Sequence, residues 1–183
     1  FPARWLGITA FLPMFLIAPA PPADGAVRIA VLDVGQGLAV AVQTRRHALL
    51  FDTGPAFGPT ADSGNRIIVP YLRAAGIRRL DALIVSHDDA DHTGGALSVL
   101  QAVPVTTLLS SLPDLDPLIL IAAQERRCRA GQQWTWDGVR FDMLHPEAAS
   151  YGGPRIKNND RGCVLKITAA GGSALIPADI ERR

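Results

Sequence analysis

Ser86-His87-Asp88-Asp89-Ala90-Asp91-His92-Thr93-Gly94-Gly95 decides how this chain is read. Two imidazoles and three carboxylates fall between His87 and His92. Ahead of them runs Ala82-Leu-Ile-Val85, a continuous apolar stretch of the kind buried on both faces of a sheet. Clustered acids repel, and each desolvated carboxylate costs free energy unless a cation or a hydrogen-bond donor neutralises it. A divalent metal ion solves that problem. The plainer alternative makes Asp88, Asp89 and Asp91 exposed caps of a helix start, with incidental histidines. It would serve for one Asp. It does not serve for His-x-Asp-x-Asp-His at a strand end, where sites of open α/β sheets gather. Gly94 and Gly95 let the backbone pack closely beneath such a site and start the next helix.

Outward from this stretch, Ala96, Val99, Leu100 and Val103 recur at i, i+3, i+4 and i+7, which predicts an amphipathic helix over Gly94 to Val103. Upstream, β-branched runs predict strands over Val27 to Asp33 and Leu38 to Gln43, about a tight turn at Gly35-Gln36-Gly37, and a third strand over His47 to Asp52. Asn65 to Gly76 reads as a loop followed by a short helix, with Pro70 in its first turn and Gly76 as its stop. Downstream, Val105 to Leu109 is a strand. Leu118 to Arg127 is expected to be a helix, with a strand as the competing reading of Leu-Ile-Leu-Ile. Asp137-Gly138 between Trp134 to Trp136 and Val139 to Met143 signals a hairpin. Cys163 to Thr168 and Ser173 to Pro177 close the pattern. Two batches of strands with helices between them predict an α/β sandwich.

Of 183 residues, 48% are hydrophobic and 19% charged, so the chain must bury a core. Its 18 Lys and Arg against 17 Asp and Glu exclude a broad basic coat for gripping nucleic acid non-specifically. Aromatic content of 6% and two cysteines argue against base-stacking platforms and a disulfide-dense scaffold. Trp5 to Ala20 holds no charge and fits the end of a transmembrane helix, a signal-peptide core or a buried helix; its length and composition favour the first. Arg4 before it and Asp24 after it place the remainder of the chain outside the cytoplasm. We therefore expect residues 1–25 to be a membrane segment and Pro-rich linker, and residues 26–183 a soluble domain.

His87-x-Asp89-x-Asp91-His92 resembles the metal motif of the metallo-β-lactamase fold, an αββα sandwich. Asp52-Thr53-Gly54 matches that family's Asp-Thr-Gly element, and Ile176-Pro177-Ala178-Asp179 resembles the strand whose terminal Asp bridges two metals. Asp33-Val-Gly-Gln-Gly37, Pro70-Tyr-Leu-Arg73, Leu80-Asp-Ala-Leu83, Ser86-His87, Leu144-His145-Pro146 and Asn158-Asn159 through Cys163-Val-Leu165 together resemble the C-terminal domain of ComEC-type DNA-internalisation channels. The resemblance implies one or two divalent ions, Mn²⁺, Zn²⁺ or Mg²⁺. His87 and Asp89 would hold one, Asp91 and His92 the other, and Asp179 would bridge, with Asp91 and His92 nearest the reacting groups. Asp52 and Asp33 would orient ligand histidines, with capping of a turn as the alternative, held open for Asp33. Asn158, Asn159 and Arg161 would face the metals and grip phosphate, with a plain turn as the alternative. His145 would ligate or rim the cleft, and His47 is structural.

Arg126, Arg127 and Arg129 are candidate phosphate contacts or simply solvated. Cys128 and Cys163, outside the cytoplasm, are expected to pair. The fold's usual ligand set has His at Asp89 and a later His where Asn158-Asn159-Asp160 stands. Its last His would lie beyond Arg183, so the domain is expected to lack its C-terminal part. The implied activity is a nuclease or phosphodiesterase of a DNA-uptake channel in the inner membrane, with this domain on the periplasmic side, acting on single-stranded DNA alongside other uptake components. Hydrolysis of a small ester, thioester or lactam, and a degenerate module that guides DNA, are the alternatives.

Oxygen donors in place of nitrogen favour harder ions. After chelation, Mn²⁺ or Mg²⁺ is predicted to restore activity at least as well as Zn²⁺; restoration by Zn²⁺ alone in an add-back series would refute this.

Overall fold

The computed structural model describes residues 19–152, 157 and 159–180. The apolar run from Trp5 through Ala18, and Asn158, therefore lie outside the described residues; Pro19 and Ala20 at the end of that run lie within them. No helix among the described residues is long and apolar enough to cross a membrane.

Period-two burial builds two stacked sheets. The first carries β1 (Arg28–Val31), β2 (Val40–Gln43), β3 (Ala48–Phe51), β6 (Leu80–Val85), β7 (Val105–Ser110) and β8 (Glu125–Arg127), in that order. β1, β2 and β3 pair antiparallel, whereas β3, β6, β7 and β8 run parallel. The second sheet is an antiparallel meander of β9 (Gln133–Trp136), β10 (Val139–His145), β11 (Val164–Ala169) and β12 (Gly172–Ile176). A small pair, β4 (Ala56–Gly58) and β5 (Ala61–Asp62), lies between β3 and β6 in sequence.

Alternate residues of the first sheet face opposite ways, as the pleat requires. Leu50, Leu83 and Val85 pack with Ile68, Leu72 and Val99 of the helices, while Leu49, Phe51, Ala82 and Ile84 meet Phe141, Met143, Leu165 and Ile167 of the second sheet. The helices are α1 (Val69–Ala74), α2 (Ala90–Thr93), α3 (Ala96–Ala102) and α4 (Pro117–Ile121). The described residues thus form a helix layer and two sheets of the expected sandwich, with Arg140 and Lys166 exposed on strands of the second sheet.

Three expectations need correction. The helix expected over Leu118 to Arg127 ends at Ile121, and Glu125–Arg127 instead form β8 beside β7. The apolar Leu-Ile-Leu-Ile is helical, whereas the charged Glu125-Arg126-Arg127 has no apolar periodicity of either kind and pairs along the open edge of the parallel sheet beside β7. The segment expected as a loop from Asn65 is already helical, a wide π turn over Gly64–Ile68 that buries Ile68 and runs into α1. The tight turn at Gly35 to Gly37 is part of a longer connection, because Leu38 N–H donates to Asp91 O (3.3 Å) rather than extending β2.

The hairpin at Asp137-Gly138 forms with φ of 48° and 80°, the positive pair that a type I′ turn needs. Its carboxylate clamps the sheets together by accepting from Thr44 Oγ1 (2.7 Å), Arg46 N (2.7 Å) and Arg46 Nε (2.8 Å). At the opposite end Cys128 and Cys163 form a disulfide with Cα atoms 5.8 Å apart, linking the strand end of β8 to the start of β11.

Gly94 and Gly95 have no room for a side chain. A Cβ on Gly95 would lie 2.4 Å from Gly64 N and 2.5 Å from Thr53 O. Both neighbours are backbone and cannot rotate away. Gly95→Ala is predicted to cost about 2–3 kcal/mol, in the range of core overpacking. A urea midpoint unchanged from wild type would show that the backbone yields.

Candidate metal centre

Parallel pairing of β3 with β6 puts their C-terminal ends side by side, and the site is assembled there. Asp52 follows β3 in a left-handed conformation (φ 55°), tolerated by Asp far better than by branched residues. Its amide donates to Ile84 O (2.8 Å), and its carboxylate turns under the loop after β6, fully buried. There Asp52 Oδ1 accepts from Ser86 N (2.6 Å), and Oδ2 accepts from Ser86 Oγ (2.7 Å) and from His92 Nδ1 (2.7 Å). Thr53 N and Thr53 Oγ1 donate to His92 O (2.9 and 2.8 Å), fixing the backbone of α2 to the same strand end.

His87 and His92 are both 1% exposed, with ring centroids 4.1 Å apart and planes tilted by 46°. Each has Nδ1 engaged, His87 with Ser86 Oγ (2.8 Å) and His92 with Asp52. Their Nε2 atoms face outward from that network. His92 Nε2 lies 3.3 Å from Asp179 Oδ2, and His87 Nε2 lies 3.3 Å from Asp89 Oδ2 without forming a hydrogen bond. Asp179 reaches the site from the second sheet, past the end of β12, after Ala178 in a left-handed turn (φ 50°). One donor atom each from His87, His92 and Asp179 lies within 4.8 Å of the others.

The donor set fits a divalent ion. A buried imidazole nitrogen with no hydrogen-bond partner is costly unless it has a ligand's role. Three protein donors with room for more are the pattern of catalytic rather than structural sites. Burial opposes charge on His92, but the hydrogen bond and charge of Asp52, with the charges of Asp179 and Asp91, outweigh it and lift the His92 pKa from 6.5 to about 8. Two imidazoles and three nearby carboxylates thus call for positive charge at this point.

Of the other sequence-predicted residues, Asp89 starts α2 with extended backbone, and its side chain makes no capping bond. Asp91 lies in the first turn of α2, and lines with Gln36, Leu38, His92, Ala178 and Asp179 an open groove of about 620 Å³. Neither joins the three-donor group. Asp33 is exposed, and its carboxylate accepts from Gly35 N (3.3 Å), so it caps a turn rather than orienting a histidine. His145 ends β10 opposite Val164, half-buried after a register shift and outside the three-donor group. Asn159 and Arg161 sit in a 3₁₀ turn, with Arg161 Nε buried and unpartnered. Arg127 stacks 4.5 Å over the Tyr151 ring, and the Tyr151 hydroxyl donates to Cys128 O (2.8 Å). Burial pushes the Tyr151 phenol up to about 12, against the pull of Arg127, Arg161 and Arg129.

Ser86 enters the sequence reading only within the Ser86-His87 pair of the resemblance, with no role assigned, and Ser111 is a site residue that sequence reasoning does not single out. Ser86 O accepts from Ser111 Oγ (2.5 Å) and Cys163 N (3.0 Å), so the loop is held by both sheets. A serine next to His87 carries no periodic or spacing signal of its own.

Residues 32–172 match the sequence model of the metallo-beta-lactamase superfamily. The chain is 36% identical over 165 residues to Competence protein ComA of Neisseria gonorrhoeae, covering 90% of this chain and 21% of the relative. It is 34% identical over 160 residues to Recombination protein 2 of Haemophilus influenzae, covering 85% and 18%. It therefore spans about a fifth of the length of these relatives. Among solved structures, MEM-A1, a subclass B3 metallo-beta-lactamase from a soil metagenome library, aligns with TM-score 0.55 and 16% identity over 88% of this chain and 62% of that one. At that identity the likeness shows the fold alone.

The folded-state pKa of His92 lies above its unfolded value, so its ion pair stabilises fully below pH 6.5 and is lost as pH rises through about 8. Chelator-treated protein is predicted to lose melting temperature between pH 6.5 and 8, and Asp52→Asn to flatten that slope. An equal slope in both proteins, by scanning calorimetry, would remove Asp52 as the cause.

Proposed function

Because the chain belongs to the metallo-beta-lactamase superfamily, in the branch of the ComEC-type competence proteins, we propose that it is the metal-dependent hydrolase domain of a DNA-uptake protein, cleaving phosphodiester bonds of the strand being internalised. The observation that carries this reading is the three-donor group of His87, His92 and Asp179, of which His92 and Asp179 line an open groove.

His87 Nε2, His92 Nε2 and Asp179 would hold the ion, with Asp89 beside His87 as a further oxygen donor. When bound, a divalent ion supplies Lewis-acid stabilisation of phosphoryl charge and lowers the pKa of a water molecule. The residues of the chain do the rest. Asp91, on the groove wall beside His92, accepts the proton of the attacking water. Arg129 and Arg161 flank Cys128 and Cys163, whose disulfide and the Cys163 N–H to Ser86 O bond tie them to the ligand loop, whereas Arg127 is already paired with Asp114 and stacked on Tyr151. Guanidinium donors there grip backbone phosphates on either side of the scissile bond. The groove walls carry the exposed side chains of Val31 (73%) and Leu175 (56%), which suit the apolar faces of unpaired bases better than a duplex exterior.

The apolar run before Pro21 tethers the domain to the inner membrane, with its active face on the periplasmic side among the other uptake components. Mn²⁺ and Mg²⁺ fit the oxygen-rich surroundings of the histidines, and Zn²⁺ fits the imidazoles themselves.

With Mn²⁺ and enzyme in excess, the chain is predicted to cut end-labelled single-stranded DNA. His87→Ala and Asp179→Ala should each lower the rate at least about 100-fold, the scale of losing a catalytic electrostatic contact, while keeping the wild-type circular dichroism. Nitrocefin and a thioester run in parallel should stay intact. Hydrolysis of either with intact DNA would establish the small-molecule reading, and DNA binding without cleavage or metal would establish a guiding module.

A further inference from the structure

From the hydrogen-bond geometry we infer that Ser86 is a positioning residue that sets the ring tautomer of His87. Its hydroxyl relays the buried Asp52 carboxylate to an imidazole that the carboxylate does not itself reach.

For neutral imidazoles the proton count leaves one arrangement. An ionised carboxylate only accepts hydrogen bonds, so Asp52 takes the Ser86 amide proton at Oδ1 (2.6 Å) and the Ser86 hydroxyl proton at Oδ2 (2.7 Å). A hydroxyl has one proton. Having given it to Asp52, Ser86 Oγ presents only lone pairs to His87 Nδ1, 2.8 Å away, and that contact is a hydrogen bond only if Nδ1 carries the proton. His92 Nδ1 is 3.5 Å from the same oxygen, but its proton goes to Asp52 Oδ2 at 2.7 Å. Both neutral rings thereby keep a lone pair at Nε2, His92 through direct contact with Asp52 and His87 through the serine. His87 Nε2 is buried and makes no hydrogen bond, although Asp89 Oδ2 lies 3.3 Å away; two facing lone pairs are what a shared ligand between them would use.

The serine can do this because its position is over-determined. Its amide is bound to Asp52, its carbonyl accepts from Cys163 N (3.0 Å) and Ser111 Oγ (2.5 Å), and its side chain is fully buried, so no water competes for Oγ. One carboxylate aligning two imidazoles through unequal paths gives the histidines different dependence on residue 86. Removing the hydroxyl leaves His92 anchored and deprives His87 Nδ1 of its acceptor. The ring is then free to move its proton to Nε2, where it blocks coordination.

This inference rests on the reading of the site as metal-binding, and its test has an arm that does not. In metal-free wild-type protein, ¹⁵N correlation spectra of the imidazoles are predicted to show His87 and His92 both protonated at Nδ1 when neutral. In Ser86→Ala, His87 alone is predicted to change to the Nε2–H form or to a mixture. Titrating Zn²⁺ and Mn²⁺ separately, Ser86→Ala should bind about 10–100-fold more weakly, the usual range for losing an outer partner of a ligand histidine. Ser86→Thr, which keeps the hydroxyl, should retain the wild-type tautomer and most of the affinity. A His87 already protonated at Nε2 in the wild type would overturn the proposal, as would a Ser86→Ala protein with unchanged spectrum and affinity. Failure of the wild type to bind any metal, with the Nδ1 tautomers as predicted, would refute the metal reading and leave the role of Ser86 standing.

Discussion

The buried carboxylate of Asp52 is the constraint on which the rest of the site depends. A carboxylate taken wholly out of water costs several kcal/mol unless donors meet its lone pairs. Here the donors are the amide and hydroxyl of Ser86 and the Nδ1–H of His92. They belong to the same loop that carries the candidate ligands. Neither partner is stable in place without the other, so the end of β3 and the loop after β6 lock into one arrangement. The left-handed backbone at Asp52 costs something locally, and it is held because the amide of the same residue also bonds Ile84 O.

The second sheet supplies what the first cannot. The histidines rise from the parallel strands, whereas Asp179 arrives from beyond β12. Contact between the two halves is secured by the apolar layer around Phe51, Phe141 and Leu165, by the disulfide, and by the Cys163 N–H to Ser86 O bond. At the far end the Asp137 carboxylate clamps the β9–β10 hairpin to the turn after β2. The sandwich is stapled at both ends, which leaves the site rigid at its base and open along one groove.

Asp137-Gly138 is legible in the sequence because a two-residue hairpin turn is decided by its own φ angles, with no help from distant parts. Leu80 to Val85 is legible because a strand buried on both faces must be apolar at nearly every position, whichever way each side chain points. Leu118 to Arg127 is only half legible. Its first part caps and folds as a helix from Asp116, but its last three residues take whatever the free edge of β7 offers.

Asp33 and Asp52 make the same point at the site. Each reads, in the chain, as a strand-terminal acid near a glycine, and only the Asp52-Thr53-Gly54 resemblance separates them; no propensity or periodicity does. Asp33 stays in solvent and closes a turn, whereas Asp52 sits under the neighbouring parallel strand and organises two histidines. The sequence by itself determined the fold family and the ligand-rich loop, because residue type and spacing along one strand-to-helix junction are local properties. Only the tertiary structure decided that the Asp33 carboxylate stays in solvent while that of Asp52 is buried, how Ser86 joins the network, and that Asp179, expected from the resemblance, closes a three-donor group with His87 and His92 and without Asp89 or Asp91. Those depend on strand pairing across gaps of 34 residues from Asp52 to Ser86 and on packing of the second sheet against the first, distances over which spacing in the chain says nothing about approach in space.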